Sequence, residues 1–389
     1  MSPLFIAAPV PYHVGAMFSK GLIAAAVLVY LIVLGCVMVP GEATGKKLPA
    51  HDTGESTDGS PPTNPKFLNV LPYRGAGMQI QRVDWIDKYK KSMDEMAALG
   101  LDTVSLVIDT RMENGHTSHV WLDMRMTPTP EKLSELIQHA KSKGLRVILM
   151  PIVLLDKPID NEWRGTIKPE SWDDWFDSYR SMLTHFAWIA EQNKVDVLSV
   201  GSELVSTEKE RSQWNKTIAA VREVFHGQLT YSANWDHYTS VPFWNQLDLI
   251  GMNSYYSLDE DPPGSHNHVK DKASVDLIVA NWKYIQKDLL AFQRKIGKPL
   301  LFLEVGWCSL DNAADEPWDY TKEELNVNLD LQKRLYEGFF ESWYRKPGLG
   351  GFMIWEWTPG DAGPEDKGYT PKNKPAQEVV KQWIAKPWR

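Results

Sequence analysis

The chain has 389 residues, of which 43% are hydrophobic, and its formal net charge at pH 7 is −8. The hydrophobic share allows a sizeable core, and the acidic balance argues against nucleic acid as a partner. The 17 tryptophans exceed what a core of this size requires. Flat aromatic rings serve core packing or bind the faces of sugars, so their number fits a carbohydrate site.

An uncharged apolar segment occupies residues 21–40, near the N-terminus. As a helix it would cross roughly 30 Å of hydrocarbon, which predicts a transmembrane signal anchor. A second interpretation begins at Met17, where a short basic region and an apolar stretch lead to Gly35-Cys36. That pattern is typical of a cleaved signal, and in particular of a bacterial lipoprotein signal with Cys36 as the lipidated residue. Either interpretation attaches the chain to a membrane or exports it, with the remainder outside the cytoplasm, in the periplasm or at the cell surface.

Residues 41–66 are rich in Gly, Pro, Ser, Thr and Asp. Such a composition cannot bury a core and predicts a flexible linker. We therefore divide the chain into a signal anchor or signal peptide at 1–40, a linker at 41–66 and a single domain at 67–389. No internal repeat and no second domain follow from the pattern, and we expect a monomer.

Strand-like apolar runs alternate with helical runs from residue 67 onward, as in parallel α/β folds. Eight strands are predicted, at 75–80, 103–108, 146–153, 195–200, 229–233, 247–252, 300–303 and 351–355. Seven helices are predicted, at 85–98, 130–143, 172–192, 209–225, 274–296, 322–343 and 375–383. Pro130 and Pro375 open two of them, and Gly100, Gly144 and Gly297 follow helix ends as cap glycines do. The pattern predicts a (β/α)8 TIM barrel, with a doubly wound sheet as the alternative.

Two glutamates, Glu203 and Glu304, stand at the ends of apolar strand patterns. The C-terminal ends of barrel strands converge on one face, so we expect the two side chains to meet there. A retaining glycosidase needs such a pair, with one carboxyl as acid/base and the other as nucleophile. A single strand-end glutamate is more simply explained by an ion pair or by backbone donors. Two of them beside tyrosine and tryptophan favour a catalytic pair.

Other polar and aromatic residues follow the predicted strand ends and should line the same face. These candidate substrate-binding residues are Asp109, Arg111, Ser202, Asn234, Trp235, Asn253, Tyr255, Tyr256, Trp307, Trp355 and Trp357. Core packing is the alternative for each tryptophan. The sequence has no zinc-type Cys/His spacing, phosphate-binding loop or dinucleotide glycine pattern, so no metal or cofactor is expected. His266 and His268 could bind a metal, but an exposed loop is the simpler interpretation.

Four segments together resemble glycoside hydrolase family 113, whose characterised members are β-mannanases in the clan of retaining (β/α)8 glycosidases. They are GSE at 201–203, LTYSANWD at 229–236, IGMNSYY at 250–256 and FLEVGW at 302–307. The barrel-like domain of gene transfer agent proteins is similar to the same pattern. The resemblance implies that Glu203 is the acid/base and Glu304 the nucleophile, and that Tyr255 or Tyr256 hydrogen-bonds the nucleophile. Much of the clan has Asn directly before the acid/base, where this chain has Ser202, and that position bears on recognition of the sugar 2-hydroxyl.

The expected function is that of a membrane-tethered, extracytoplasmic retaining endo-β-glycosidase. The resemblance implies β-1,4-mannan or a related oligo- or polysaccharide as substrate. Two alternatives belong to other classes: a carbohydrate-binding protein on a degenerate hydrolase barrel, and a structural component of the cell envelope. The presence of both Glu203 and Glu304 favours the enzyme, whereas Ser202 leaves the binding protein open.

Overall fold

The computed structural model describes residues 71–322 and 324–388. In this part of the chain eight parallel strands form a closed barrel, in which each strand pairs with the next and the last pairs with the first. The strands are β1 (Tyr73–Ile80), β2 (Thr103–Met112), β3 (Arg146–Leu155), β4 (Val197–Ser202), β5 (Gln228–Ala233), β6 (Ile250–Asn253), β7 (Leu300–Val305) and β8 (Leu349–Ile354). This closed order confirms the TIM barrel and excludes the doubly wound sheet.

Seven α-helices surround the barrel in the described residues. They are α1 (Ile86–Leu99), α2 (Pro130–Ser142), α3 (Trp172–Gln192), α4 (Arg211–Val224), α5 (Val275–Ile296), α6 (Leu329–Trp343) and α7 (Pro375–Ile384). Between β5 and β6 the chain forms two short 3-10 turns, Tyr238–Ser240 and Trp244–Gln246. All seven predicted helices are present. Helix α6 begins later than predicted, because Asn328 caps it by accepting the Leu331 N–H, and the preceding residues form a loop.

The helix ends have the local chemistry that the sequence indicates. Gly100, Gly144 and Gly297 adopt φ values of 92°, 79° and 74°, a left-handed region that glycine enters without steric penalty. At N-termini, the Ser171 hydroxyl accepts the Asp174 N–H at 3.2 Å at the start of α3. Such caps pair backbone donors that have no partner within the helix. These caps fix where each helix begins and ends. They therefore also set the length of the loops that join the strands to the helices.

Apolar side chains bury both faces of the sheet. A small cluster inside the barrel includes Ile148, Val197, Leu301 and Met353, and a larger one fills the layer between strands and helices. An all-parallel sheet covered on both faces requires nearly continuous apolar strands, which is the pattern in β3 and β7. The filled barrel leaves the C-terminal strand ends and their loops as the face that carries polar residues.

The predicted signal segment at 21–40, its Cys36 and the linker at 41–66 lie outside the described residues. Within the described ranges, none of the helices combines the length and the apolar character that a membrane crossing requires.

Candidate active site

Glu203 directly follows β4 and has an unusual backbone conformation. Its φ is 55°, a left-handed value that non-glycine residues rarely adopt and that clusters at functional sites. Two backbone N–H groups hold this turn: that of Glu203 donates to the Ser232 carbonyl at 2.8 Å, and that of Leu204 donates to the Tyr231 hydroxyl at 2.9 Å. The position of the Glu203 side chain is therefore set by bonds to β5.

Both carboxylate oxygens of Glu203 have side-chain partners. An Arg164 guanidinium nitrogen lies 2.5 Å from Oε2, and the Asn253 amide donates to Oε1 at 2.7 Å. Arg164 belongs to a short 3-10 turn, Arg164–Thr166, in the loop after β3. Asn253 ends β6, and its own oxygen accepts the Ser232 hydroxyl at 2.5 Å. The Glu203 side chain is only 13% exposed, so this ion pair is shielded from water.

Glu304 lies within β7 and is 6% exposed. The Tyr255 hydroxyl donates to its Oε2 at 2.7 Å. Burial, and then the charge of Glu203, raise the pKa of Glu304 to about 8, while Arg164 and the Tyr255 hydrogen bond act in the opposite direction. Asn253 connects the two glutamates, since its backbone is in register with Glu304 and its amide binds Glu203. The structure thus places the two predicted catalytic residues close enough that the charge of Glu203 raises the pKa of Glu304.

The two predicted tyrosines have different roles. Tyr255 contacts Glu304, whereas the Tyr256 hydroxyl donates to the Trp235 carbonyl at 3.0 Å. Tyr256 also packs edge-on against the Trp235 ring, with 5.2 Å between centroids. The open choice between them is thereby decided by geometry: Tyr255 bonds the carboxyl of β7, and Tyr256 supports the aromatic residue after β5.

A row of hydrogen-bonded polar side chains crosses the neighbouring strand ends from β8 through β1 to β2. Gln79 donates to Glu356 at 2.9 Å, and Gln81 donates to Gln79 at 2.7 Å and to Asp109 at 3.4 Å. Arg111 is the last member of this row and forms a 2.9 Å ion pair with Asp109. Burial raises the pKa of Asp109 to about 6, although Arg111 opposes the shift. Asp109 and Arg111 lie inside β2 rather than after it, because that strand is longer than predicted.

Two of the predicted sugar-binding tryptophans are core residues. Trp307 is fully buried, and its ring packs perpendicular to Tyr336 of α6 with 5.2 Å between centroids. Trp357 is 2% exposed and donates its ring N–H to Glu95 of α1 at 3.0 Å. Both rings face the helical layer, which corrects the expectation that they line the strand-end face.

The other two tryptophans of the predicted set are partly exposed. Trp235 stacks on Trp318 at 5.9 Å and an interplanar angle of 16°. Trp355 follows β8, and a side chain in place of Gly77 would meet its ring at 3.0 Å. Both therefore remain candidates for contact with sugar faces.

Ser202 and Asn234 take less part in the hydrogen bonds of the site than the residues described above. Ser202 is 1% exposed, and its hydroxyl forms no hydrogen bond with any residue that the structure describes. Asn234 is partly exposed after β5, where its carbonyl accepts the N–H groups of His237 and Tyr238. Asn253, rather than Ser202, supplies the amide beside Glu203.

Sequence reasoning missed three residues of this region. Arg164 lies well past the end of β3, so the strand-end pattern gave no reason to select it. Gln79 lies within β1. Gln81 directly follows β1 and could have been selected by the same rule as Glu304, whereas Glu356 belongs to the polar set that the sequence places after β8.

A second cluster, away from the two glutamates, joins the loops after β6 and β7. His268 Nδ1 lies 2.7 Å from Asp259 Oδ1 and 3.1 Å from Asp315 Oδ1. Burial opposes protonation, but the hydrogen bond to Asp259 and the charge of Asp315 raise the pKa of His268 overall. These residues have metal-ligand chemistry, yet an imidazolium paired with both carboxylates accounts for the geometry. His268 is thus a bridge between loops, unlike the exposed His266.

Comparison with known proteins agrees with this arrangement. Residues 76–374 match the family model of glycoside hydrolase family 113. The structure is similar to the GH113 β-mannanase AaManA from Alicyclobacillus acidocaldarius in complex with ManMIm, with a TM-score of 0.71, 28% identity, and 82% of this chain and 98% of that chain covered. A second GH113 β-1,4-mannanase complex gives a TM-score of 0.71 at 25% identity, with 81% and 98% coverage. The endo-β-1,4-mannanase from Thermotoga petrophila, at 12% identity, a TM-score of 0.52 and coverage of 82% and 77%, shares the fold.

A search of curated protein sequences gives no match. The family model nevertheless spans most of the barrel, from within β1 to the residue before α7. Because this match extends over more than half of the chain, the protein belongs to glycoside hydrolase family 113 and is a glycosidase.

Proposed function

We propose that the protein is a retaining, β-1,4-mannanase-like hydrolase in which Glu203 is the acid/base and Glu304 the nucleophile. The observation that carries this proposal is that Asn253, whose backbone is in register with Glu304, binds the Glu203 carboxylate, while the Tyr255 hydroxyl donates to Glu304. The positions of the two glutamates, directly after β4 and within β7, agree with the roles that the family resemblance implies. The substrate class rests on the β-mannanases to which the chain is similar.

In the first step, Glu203 donates a proton to the glycosidic oxygen while Glu304 attacks the anomeric carbon. The C–O bond to the leaving group breaks, and an ester forms between Glu304 and the sugar. The Tyr255 hydroxyl stabilises the ionised Glu304 before attack, because it donates to Oε2. Asn253 holds the Glu203 oxygen Oε1 and so fixes the orientation of the acid.

In the second step, Glu304 is neutral as an ester, and Glu203 is ionised. Glu203 takes a proton from water, whose oxygen attacks the anomeric carbon and releases Glu304. Arg164 stabilises Glu203 in this state, since its guanidinium lies 2.5 Å from Oε2.

Arg164 also acts on Glu304. Burial and the charge of Glu203 raise the pKa of Glu304, and the charge of Arg164 opposes this shift. For the first step Glu304 must be ionised, and the proton must reside on Glu203.

Hydrolysis of manno-, gluco- and xylo-oligosaccharides by the full-length protein tests the proposal. We expect cleavage of β-1,4-manno-oligosaccharides, analysed by chromatography of the products. The Glu203→Gln, Glu304→Gln double variant is the control for contaminating enzymes, because both carboxyls become amides of the same shape. Binding of manno-oligosaccharides in calorimetry without any cleavage would contradict the enzyme and favour a carbohydrate-binding protein.

We also propose that the barrel is tethered to a membrane outside the cytoplasm, because of the apolar segment at 21–40. Protease added to intact cells or spheroplasts should then degrade the barrel. A Cys36→Ser variant separates the two signals: it should release a lipoprotein from the membrane fraction and leave a signal anchor in place. Recovery of the wild-type protein in the cytoplasmic fraction would contradict both.

A further inference from the structure

Behind the Glu203 turn, a line of hydrogen bonds and contacts leads away from the site. The Leu204 N–H donates to the Tyr231 hydroxyl at 2.9 Å, and that hydroxyl donates to Glu208 Oε1 at 2.7 Å. His237 Nε2 lies 3.2 Å from the other Glu208 oxygen. None of these side chains is part of the sugar-facing set described above.

Every residue of this line except His237 is buried. Tyr231 is fully buried and packs perpendicular to Trp214, with 5.5 Å between centroids, while Glu208 is 2% exposed. His237, with 35% of its side chain exposed, connects the line to solvent. The titratable groups facing Glu208 are Tyr231 on β5 and Asp236 and His237 in the loop after it. A buried carboxyl needs partners of this kind, because burial alone disfavours its charge.

The Tyr231 hydroxyl has only one proton, and Glu208 accepts it. The hydroxyl oxygen is then free to accept from Leu204. Without this oxygen the buried Leu204 N–H would lose its partner, and an unpaired buried donor drives the backbone to rearrange. The adjacent residue is Glu203 at φ 55°, whose conformation persists only while its surroundings hold it.

We propose that Tyr231, oriented by Glu208, is a positioning residue for the carboxyl of Glu203. This inference rests on the proposed function, in which Glu203 is the acid/base. Among the described residues, the side-chain oxygens of Glu203 and Glu304 have other hydrogen-bond partners than Tyr231 and Glu208. The effect of Tyr231 and Glu208 is on the backbone turn that places the acid.

A misplaced acid has a kinetic signature that a loss of stability lacks. Proton donation matters when the leaving group is poor, as in an oligosaccharide, and matters little for an activated aryl glycoside. The kcat/KM value reports the first step alone in a double displacement. Loss of positioning should therefore lower kcat/KM for manno-oligosaccharides and largely preserve it for a dinitrophenyl β-mannobioside.

Tyr231→Phe tests this, with Tyr179→Phe as its matched control. Tyr179 is also fully buried, and its hydroxyl donates to the Val200 carbonyl of β4 at 2.7 Å, but it does not hold the Leu204 N–H. Each variant loses one buried hydroxyl. We expect Tyr231→Phe to lose about tenfold or more in kcat/KM on mannohexaose, with less than about threefold loss on the aryl substrate. Tyr179→Phe should show no such difference between substrates.

Glu208 gives an independent test should Tyr231→Phe fail to fold. Glu208→Ala should reproduce the substrate-dependent loss, and Glu208→Gln should restore most of the activity, because its amide oxygen still accepts from Tyr231. Equal losses on both substrates, matching those of Tyr179→Phe, would overturn the inference while the proposed function stands. A wild-type protein that cleaves neither substrate would overturn the function itself, and the inference with it.

Discussion

Glu203 and Glu304 are held by different kinds of partner. Glu203 pairs with the cation Arg164, whereas Glu304 accepts a neutral hydroxyl from Tyr255 in a more buried position. Two close carboxyls titrate as a unit, with apparent pKa values that belong to the pair. The charge on Arg164 lowers the pKa of Glu304, which burial and Glu203 raise to about 8.

The first prediction concerns the alkaline side of the pH profile. The reactive form of the pair holds one proton, so kcat/KM should fall as pH rises through about 8. Arg164→Met removes a positive charge that favours ionisation, so the alkaline limb should move to higher pH. Steady-state kinetics between pH 5 and roughly pH 10 measure both limbs. A limb that moves to lower pH in Arg164→Met would contradict the electrostatic assignment.

The second prediction concerns stability. Glu304 has a higher pKa in the folded state than in the unfolded chain, so the folded state binds more protons between the ordinary glutamate value of 4.5 and about 8. The free energy of unfolding should therefore fall as pH rises through this window. Glu304→Gln cannot ionise and still accepts from Tyr255. Its Tm should exceed that of the wild type by about 2 °C or more at pH 8, and the gain should disappear near pH 4.

A matched variant separates this effect from general changes in packing. Glu337→Gln alters an acid on the helical side of the barrel, where Glu337 accepts the Trp383 ring N–H at 3.1 Å. We expect no comparable gain in Tm from it. A Glu304→Gln variant less stable than the wild type at pH 8 would contradict burial as the main cause of the raised pKa.

At the scale of elements, the C-terminal ends of the strands position the residues of the site. The apolar runs and their spacing were sufficient to predict eight strands, because a parallel strand buried on both faces has a continuous apolar pattern. Glu203 and Tyr255 follow their strands closely and were found for that reason. Arg164 belongs to a long loop whose path depends on tertiary contacts, and local sequence carries no sign of its contact with Glu203.

The tryptophans show a second feature that the sequence alone does not predict, namely the direction of a side chain after its strand ends. Alternation along a strand indicates the two faces, but beyond the strand the direction of a side chain depends on the turn. Trp307 and Trp355 both follow a strand, yet the first packs on α6 and the second is partly exposed. Composition could indicate an excess of aromatic residues without distinguishing sugar platforms from core.

The third prediction concerns the contact between the ends of β7 and β8. A Cβ at Gly306 would lie 1.9 Å from the Trp355 carbonyl oxygen, so Gly306→Ala forces the backbone after Glu304 to shift. We expect destabilisation of about 1–3 kcal/mol in denaturant unfolding, together with loss of activity. Gly363→Ala, whose new Cβ meets nothing within 4 Å, is the control. Equal stability of the two variants would show that β7 and β8 can separate freely.

At the scale of the whole molecule, the barrel closes with residues after the predicted linker. Strand β1 begins at Tyr73 and pairs with β8, so the sheet needs no partner from residues 1–66 among its strands. The fourth prediction is that the chain lacking residues 1–66 remains soluble and monomeric in light scattering. Its kcat/KM on manno-oligosaccharides should equal that of the full chain. Aggregation reversed only by restoring residues 21–40 would make that segment part of the core.

The central claim is double displacement by Glu203 and Glu304, and the anomeric form of the first product tests it most directly. Proton NMR of manno-oligosaccharide hydrolysis by the full-length protein resolves the α and β anomers before mutarotation mixes them. Two successive inversions at the anomeric carbon return the β configuration, so the β anomer should appear first and the α anomer later. Initial formation of the α anomer would mean a single displacement by water, and would contradict the nucleophilic role of Glu304.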